Sequence, residues 1–390
     1  WPHRLRAVAF VPRAGLAMLP PFLRVLNVGA ALALPPSAEV AEGEDLLATT
    51  GDLDPQVPLV AVIDDGIGFL NARFRRDRAR SRIRAVWLQA PERAAGAGPA
   101  GDILCGTVLD QAEIDAHLAE GGEEAAVYRQ LNRALFPLTD SALTGRRAAH
   151  GTHVLDLAAG ADPWGDDALR QVPILAVQLP PAGVRDTAGR RMESHLVQGL
   201  RWLLAETLRQ ARHSDVPPVI VNLSLGSLAG PGDRHAFLAD WFRYELDRHA
   251  RLCGGEVRLV IAYGNARLSR LVAREELRRS QPMELIWRVQ PDDHSSSFLE
   301  LRVDAGMARG LKLHLTPPPG SGLPGLEADW PQAGTGWRMP GPLALVAGVA
   351  EPGGQAVVHL ALGPTVGLGP LPATPPGAWR VEVRTTEAEP

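Results

Sequence analysis

Up to about residue 280, the chain alternates continuous apolar runs with amphipathic segments. The apolar runs are residues 58–63, 172–179, 219–225 and 257–263. A run that is apolar at every position predicts a strand buried on both faces, which is typical of a central parallel sheet.

Between these runs, apolar side chains recur at helical spacing. One predicted helix carries Leu196, Leu200, Leu203, Leu204 and Leu208 on a single face. A second carries Phe237, Trp241, Leu246 and Ala250, with Asp233 as its expected N-cap. Strands that alternate with helices predict an α/β fold with a parallel sheet and right-handed crossovers.

Changes in composition divide the chain into three regions. Residues 1–55 are rich in Pro and Ala, and we expect an N-terminal extension packed on the next domain. Residues 56–280 form the predicted α/β domain. Within it, residues 70–145 are charged and irregular, so we expect a surface insertion there.

The pattern changes in residues 281–390, where short alternating runs are separated by Pro and Gly. These runs are residues 285–289, 298–303, 311–315, 343–349, 357–362 and 379–383. Short strands with such turn signals predict an antiparallel β-sandwich or jelly roll.

Composition limits the classes of function. The chain has 390 residues, 45% of them hydrophobic and 22% charged, as in an ordinary globular protein. Its net charge of −4 gives no reason to expect a nucleic acid as partner. No apolar stretch is long enough to span a bilayer. With 2 Cys, a disulfide framework is excluded, and nothing indicates a compartment.

Polar residues suited to catalysis lie near the ends of the apolar runs. Asp64 ends the first run, His150 begins a helical pattern, and Asn265 follows Gly264 after another run. A carboxylate, an imidazole base and an amide donor are groups that acyl transfer uses. Taken singly, each also fits a structural role: a loop cap, a buried imidazole or a turn residue.

Metal binding is a second interpretation of the same residues. His150, His153 and Asp156 are spaced to lie near one another on a helix, and Asp64 with Asp65 could add carboxylates. A further His or Glu at the usual zinc spacing is lacking. We therefore expect no metal cofactor, and a metal-dependent hydrolase stays an alternative.

In chain order, these segments resemble the motifs of the subtilisin-like serine peptidases. Val62-Ile63-Asp64-Asp65-Gly66 is similar to the Asp motif, in which Thr or Ser usually stands at the position of Asp65. His150-Gly151-Thr152-His153-Val154 is nearly identical to the His motif. Val221-Asn222-Leu223-Ser224-Leu225-Gly226 resembles the substrate-binding strand, and Tyr263-Gly264-Asn265 the oxyanion motif. The resemblance covers about residues 58–270.

The resemblance implies a subtilisin-like parallel sheet flanked by helices and a serine endopeptidase that hydrolyses peptides or proteins. Asp64 would orient His150, His150 would be the general base, and Asn265 would stabilise the oxyanion. The substrate would lie against Ser224, Leu225 and Gly226. Calcium sites are frequent in the family, but no ligand set can be named here.

The nucleophile is where the chain departs from the family. A Gly-Thr-Ser segment is expected after the Asn, and the nearest string is Gly334-Thr335-Gly336, without Ser. Ser295, Ser296 and Ser297 lie at a predicted strand entrance, a poor setting for a nucleophile. Some members insert a β-sandwich before the Ser motif, so we expect a fragment whose Ser lies downstream. The alternative is an inactive, peptide-binding relative.

Overall fold

A computed structural model describes most of the chain after residue 50. The described residues are 51–90, 105–135, 149–165, 168–184, 189–212, 215–226, 237–262, 264, 268–277, 281–331, 336–338, 344–350, 355–367 and 373–385. Most of the extension expected over residues 1–55 lies outside these ranges, as does Asp233. The chain divides into two compact units, the first ending at Asn265 and the second consisting mainly of residues 266–390.

The first unit is a six-stranded sheet with helices. Its strands are β1 (Leu59–Asp64), β2 (Ile83–Leu88), β3 (Thr107–Asp110), β4 (Ile174–Gln178), β5 (Val219–Leu223) and β6 (Val257–Ile261). Its helices are α1 (Gln111–Ala119), α2 (Glu124–Leu135), α3 (His150–Ala159), α4 (Pro181–Val184), α5 (Arg190–Gln210) and α6 (Phe237–Cys253). The strand order is β3-β2-β4-β1-β5-β6, and every pair is parallel except β2 with β3.

Alternation along β1 explains how the sheet is covered on both faces. Leu59, Ala61 and Ile63 belong to one hydrophobic cluster, which contains the apolar side of α5. Val60 and Val62 belong to a second cluster, which contains side chains of α1, α2 and α3. Successive side chains of a strand point to opposite faces, so a strand between two helical layers is apolar throughout. The predicted α/β arrangement is therefore present.

The prediction of a surface insertion over residues 70–145 was wrong where the structure describes them. Strand β2 pairs with β4 inside the sheet, and all but one of its side chains are buried. The stretch also contributes β3, α1 and α2. The charged residues before β2 led to this error, because charged side chains usually indicate an exposed segment. Arg82 is instead only 1% exposed, and its guanidinium forms hydrogen bonds inside the fold.

The second unit contains two four-stranded antiparallel sheets. The strands are β7 (Met283–Val289), β8 (Ser297–Asp304), β9 (Leu311–Thr316), β10 (Leu326–Asp329), β11 (Gly336–Arg338), β12 (Ala344–Ala350), β13 (Gln355–Leu362) and β14 (Gly377–Thr385). One sheet has the order β10-β9-β14-β7 and the other β11-β12-β13-β8. The antiparallel strands expected from the alternating runs are present, and a jelly-roll arrangement stays a prediction.

Both sheets of the second unit contribute to one hydrophobic cluster. Leu313 and Val381 belong to it from one sheet, and Leu301 and Leu360 from the other.

Within the ranges that the structure describes, no helix of either unit is both long and apolar enough to cross a membrane.

Candidate active site

The position of Asp64 follows from its place at the end of β1. By alternation it shares a face with Val60 and Val62, which is the face covered by α3. The side chain is 0% exposed. A buried carboxylate needs partners, and one oxygen, Oδ1, accepts the backbone N–H of Asp65 at 2.8 Å. Its other partner comes from α3.

The chain is extended at Ala149, and helix α3 begins at the next residue, His150. The first N–H groups of a helix have no partners within it. Here the N–H of Gly151 donates to the carbonyl oxygen of Asp65 at 2.8 Å. A Cβ atom at position 151 would lie 1.9 Å from that oxygen, so only glycine allows this approach. The close approach brings the start of α3 against the end of β1.

Thr152 joins the same helix to the loop that follows β1. Its hydroxyl donates to the carbonyl oxygen of Gly66 and accepts the N–H of Gly68, both at 2.7 Å. The Gly-Thr pair after His150 therefore fixes the helix to the Asp65–Gly68 loop through three hydrogen bonds. These contacts give a structural reason for Gly and Thr at the two positions after His150 in this chain.

The result is a direct contact between the two predicted catalytic side chains. Nδ1 of His150 lies 2.7 Å from Oδ1 of Asp64. Because an ionised carboxylate only accepts, Nδ1 carries the proton of a neutral imidazole and Nε2 keeps its lone pair. The His150 side chain is 52% exposed, and Nε2 forms no hydrogen bond with any residue that the structure describes. The arrangement can orient an imidazole as a base, while its use in catalysis stays a prediction.

Burial and charge shift the pKa values of both groups. Burial raises the pKa of Asp64 to about 6, although the hydrogen bonds from His150 and from the N–H of Asp65 oppose this. Burial alone would lower the pKa of His150, but the hydrogen bond to Asp64 and the charges of Asp64 and Asp65 outweigh it and raise that pKa. Because the two groups are hydrogen-bonded, protonation of either one changes the pKa of the other.

The structure does not bring His150, His153 and Asp156, the three residues of one helix in the metal interpretation, together as a ligand cluster. His153 is exposed, and Asp156 forms an ion pair with Nε of Arg73. His150 instead faces the carboxylate of Asp64, which ends β1, and that of Asp65, whose Oδ1 lies 3.8 Å from Nδ1 of His150. The side chains of His153 and Asp156 therefore take no part in the cluster around His150.

The far end of α3 is fixed by a buried arginine that the sequence did not single out. Nη2 of Arg82 donates to the carbonyl oxygens of Ala159, the last residue of α3, and of Arg73, the latter at 3.0 Å. Nη1 donates to the carbonyl oxygen of Leu169. The positive charge at the C-terminus of α3 also suits the negative end of the helix dipole. Both ends of the helix that carries His150 are thus held.

The remaining predicted site residues are placed differently. Ser224, Leu225 and Gly226 follow β5, at the carboxyl edge where Asp64 ends β1, since Val62 is paired with Asn222. The Ser224 hydroxyl donates to Oδ1 of Asn222 at 2.7 Å. Asn265 lies outside the described residues. The binding roles of the three residues after β5 stay predictions.

No protein-family model and no curated protein matches the chain. A solved structure, that of the CspB protease of Clostridium perfringens, is similar at 16% identity with a TM-score of 0.47. The similarity covers 89% of this chain, which spans only 61% of that protein. A likeness this low does not indicate an activity.

Gln178 lies beside the candidate site, and the sequence motifs did not indicate it. It lies at the end of β4, opposite Asp64 in the register, and its side chain is fully buried. Its Oε1 accepts the N–H of Ile67 at 2.9 Å, while the N–H of Leu179 donates to the carbonyl oxygen of Asp64 at 2.8 Å. The sequence did contain a signal for Gln178, because it is a polar residue at the end of an apolar strand. The fold places that strand end beside Asp64.

Proposed function

We propose that this chain carries the acid–base part of a subtilisin-like serine endopeptidase site, which hydrolyses peptide bonds in peptides or proteins. The hydrogen bond between Asp64 and His150 at the carboxyl edge of the sheet is the observation that supports this most strongly. In open α/β sheets, ligands bind beyond the carboxyl ends of the strands. The nucleophilic Ser would come from residues outside this chain.

In this mechanism His150 moves the proton. Its Nε2 would take the proton of the Ser hydroxyl as the oxygen attacks the substrate carbonyl, and would then give it to the leaving amine. Asp64 keeps the proton of the neutral imidazole on Nδ1 and stabilises the imidazolium that forms. Burial of Asp64 strengthens this electrostatic effect, because a low dielectric screens charges weakly.

The substrate and oxyanion contacts belong to the same proposal. An extended peptide would pair with the backbone of Ser224, Leu225 and Gly226, next to the carboxyl end of β1. Asn265 would donate its side-chain amide to the oxyanion, a contribution of about 3 kcal/mol to the transition state. The acyl-enzyme formed on Ser would then be hydrolysed by water that His150 activates.

Labelling with a fluorophosphonate probe tests the proposal, because the probe reacts only with a serine that a base activates. The product of the complete reading frame is expected to be labelled on one Ser, and His150→Gln is expected to abolish labelling. His153→Gln is the matched control, since His153 is exposed on the same helix. If the complete product binds peptides but is never labelled, the peptide-binding alternative replaces the endopeptidase.

A further inference from the structure

Two carboxylates and one imidazole converge where β1 meets α3. Asp64, Asp65 and His150 each offer a ligand atom, and these atoms all lie within 4.8 Å of one another. Nδ1 of His150 is 2.7 Å from Oδ1 of Asp64 and 3.8 Å from Oδ1 of Asp65. Across the described ranges, no other group of three or more His, Cys, Asp or Glu side chains is this close.

Two of the carboxylate oxygens in this cluster are buried without a partner. Oδ2 of Asp64, on a side chain that is 0% exposed, and Oδ1 of Asp65 form no hydrogen bond with described residues. Buried polar atoms are nearly always paired, because an unpaired one destabilises the fold. An ion that both oxygens could bind would remove this cost.

The charge balance of the cluster also favours a cation. The charged groups that act on His150 are Asp64 and Asp65, and those that act on Asp64 are His150 and Asp65. No Arg or Lys of the described chain forms an ion pair with either carboxylate. With a neutral imidazole, the cluster therefore holds two negative charges, and no basic side chain in the described ranges forms an ion pair with them.

We propose that Asp64, Asp65 and His150 form a binding site for a divalent cation of the Zn²⁺ class. One imidazole nitrogen and two carboxylate oxygens are a ligand set that Zn²⁺ accepts, with water completing a tetrahedron. Ca²⁺ prefers more oxygen ligands, and Mg²⁺ requires a near-ideal octahedron of them. The site shares His150 with the predicted set on one helix but differs from it, because neither His153 nor Asp156 belongs to it.

The separations between Nδ1 of His150 and one oxygen of each carboxylate are close to those expected around such an ion. Zn–N and Zn–O bonds of about 2.0–2.2 Å place tetrahedral ligand atoms roughly 3.3 Å apart. The observed separations from Nδ1, 2.7 Å and 3.8 Å, lie on either side of that value. The His150 side chain is 52% exposed, which gives the ion a path from solvent.

A cation bound at this site would prevent His150 from acting as a base. A neutral imidazole has one proton, so when Nδ1 binds the cation through its lone pair, the proton moves through water to Nε2. Nε2 then cannot accept the proton of a nucleophile, and the hydrogen bond between Asp64 and Nδ1 is lost. Inhibition rests on the proposed endopeptidase function, whereas binding of the cation does not.

Calorimetric titration of the 390-residue chain with Zn²⁺, in a buffer that does not chelate metals, tests the binding. One Zn²⁺ per chain is expected, and Asp65→Asn is expected to weaken its affinity by at least about tenfold. Asp247→Asn, at an exposed position of α6, is the matched control and is expected to bind normally. Binding that is absent, or unchanged in Asp65→Asn, overturns the proposal.

Nitrogen NMR of the His150 ring gives a second readout that does not depend on activity. Zn²⁺ is expected to move the imidazole proton from Nδ1 to Nε2, and a cation bound through Nε2 instead would contradict the site. Loss of Zn²⁺ binding with intact fluorophosphonate labelling would count against this inference alone. Labelling that fails in metal-free protein would count against the endopeptidase alone. Zn²⁺ that accelerates hydrolysis would overturn the inhibitory role.

Discussion

Gly151 and Asp65 meet where the helix that carries His150 begins. The N–H of Gly151 donates to the carbonyl oxygen of Asp65 at 2.8 Å, and a Cβ atom on Gly151 would lie 1.9 Å from that oxygen. The hydrogen bond between Asp64 and His150 depends on this contact, because His150 precedes Gly151 and Asp64 precedes Asp65. Backbone packing between a strand end and a helix start therefore positions Asp64 against His150.

Gly151→Ala is expected to destabilise the first unit by about 3 kcal/mol, because the helix start must move away from Asp65. The displacement is also expected to break the contact between Asp64 and His150. Hydrogen exchange of the β1 amides would measure the stability, and the ring resonances of His150 would report the contact. Gly122→Ala is the control, since no atom lies within 4 Å of a Cβ there. Equal behaviour of the two variants would contradict the prediction.

Thr152→Val is expected to cost about 1–3 kcal/mol, because it leaves the N–H of Gly68 and the carbonyl oxygen of Gly66 without their partner. Thr152→Ser keeps the hydroxyl and is expected to retain most of the stability. The comparison uses the same hydrogen-exchange measurement. If Ser at this position is as destabilising as Val, the methyl group rather than the hydroxyl fixes the loop.

Arg82→Met is expected to destabilise the first unit by on the order of 3 kcal/mol, since the buried carbonyl oxygen of Ala159 and the partly buried ones of Arg73 and Leu169 lose their donor. Arg80→Met removes an exposed ion pair with Asp77 and is expected to cost less than about 1 kcal/mol. Thermal unfolding of both variants would show the difference. A similar cost for both would mean that the buried guanidinium does not hold α3.

The stability of the first unit is expected to fall as the pH rises through about 6. The folded-state pKa of Asp64, about 6, lies above its ordinary value of 3.8, so its stabilising contribution is complete below 3.8 and is lost as the pH passes 6. His150, with its pKa raised above 6.5, adds a contribution that is lost at higher pH. Hydrogen exchange of β1 against pH is expected to lose this slope in the double variant Asp64→Asn, His150→Gln. An unchanged slope would contradict the shifts.

Sequence patterns predicted the sheet well where most positions of a strand are apolar. The run at residues 219–225 contains β5, and the run at residues 257–263 contains β6. The leucine side chains that were expected on one face of helix α5 are buried. In β5 and α5, burial of an apolar face determines the local structure, whereas Val260 and Ile261 of β6 are 51% and 53% exposed.

The pattern failed where a charged residue is buried. Arg82 precedes β2, and Nη1 and Nη2 of its guanidinium donate to carbonyl oxygens of α3 and of neighbouring segments, contacts that only the tertiary fold creates. The roles of Gln178 and of the Gly151 amide have the same origin. Motif order indicated Asp64 and His150, but the contacts that position them depend on distant segments.

Peptide hydrolysis by the product of the complete reading frame tests the central claim most directly. If Asp64 and His150 form the acid–base pair, Asp64→Asn is expected to lower kcat by about 10⁴-fold with the fold intact. Asp247→Asn, at an exposed position, is expected to leave kcat unchanged. Hydrolysis by Asp64→Asn at the rate of the unaltered protein would show that the pair does not carry the reaction.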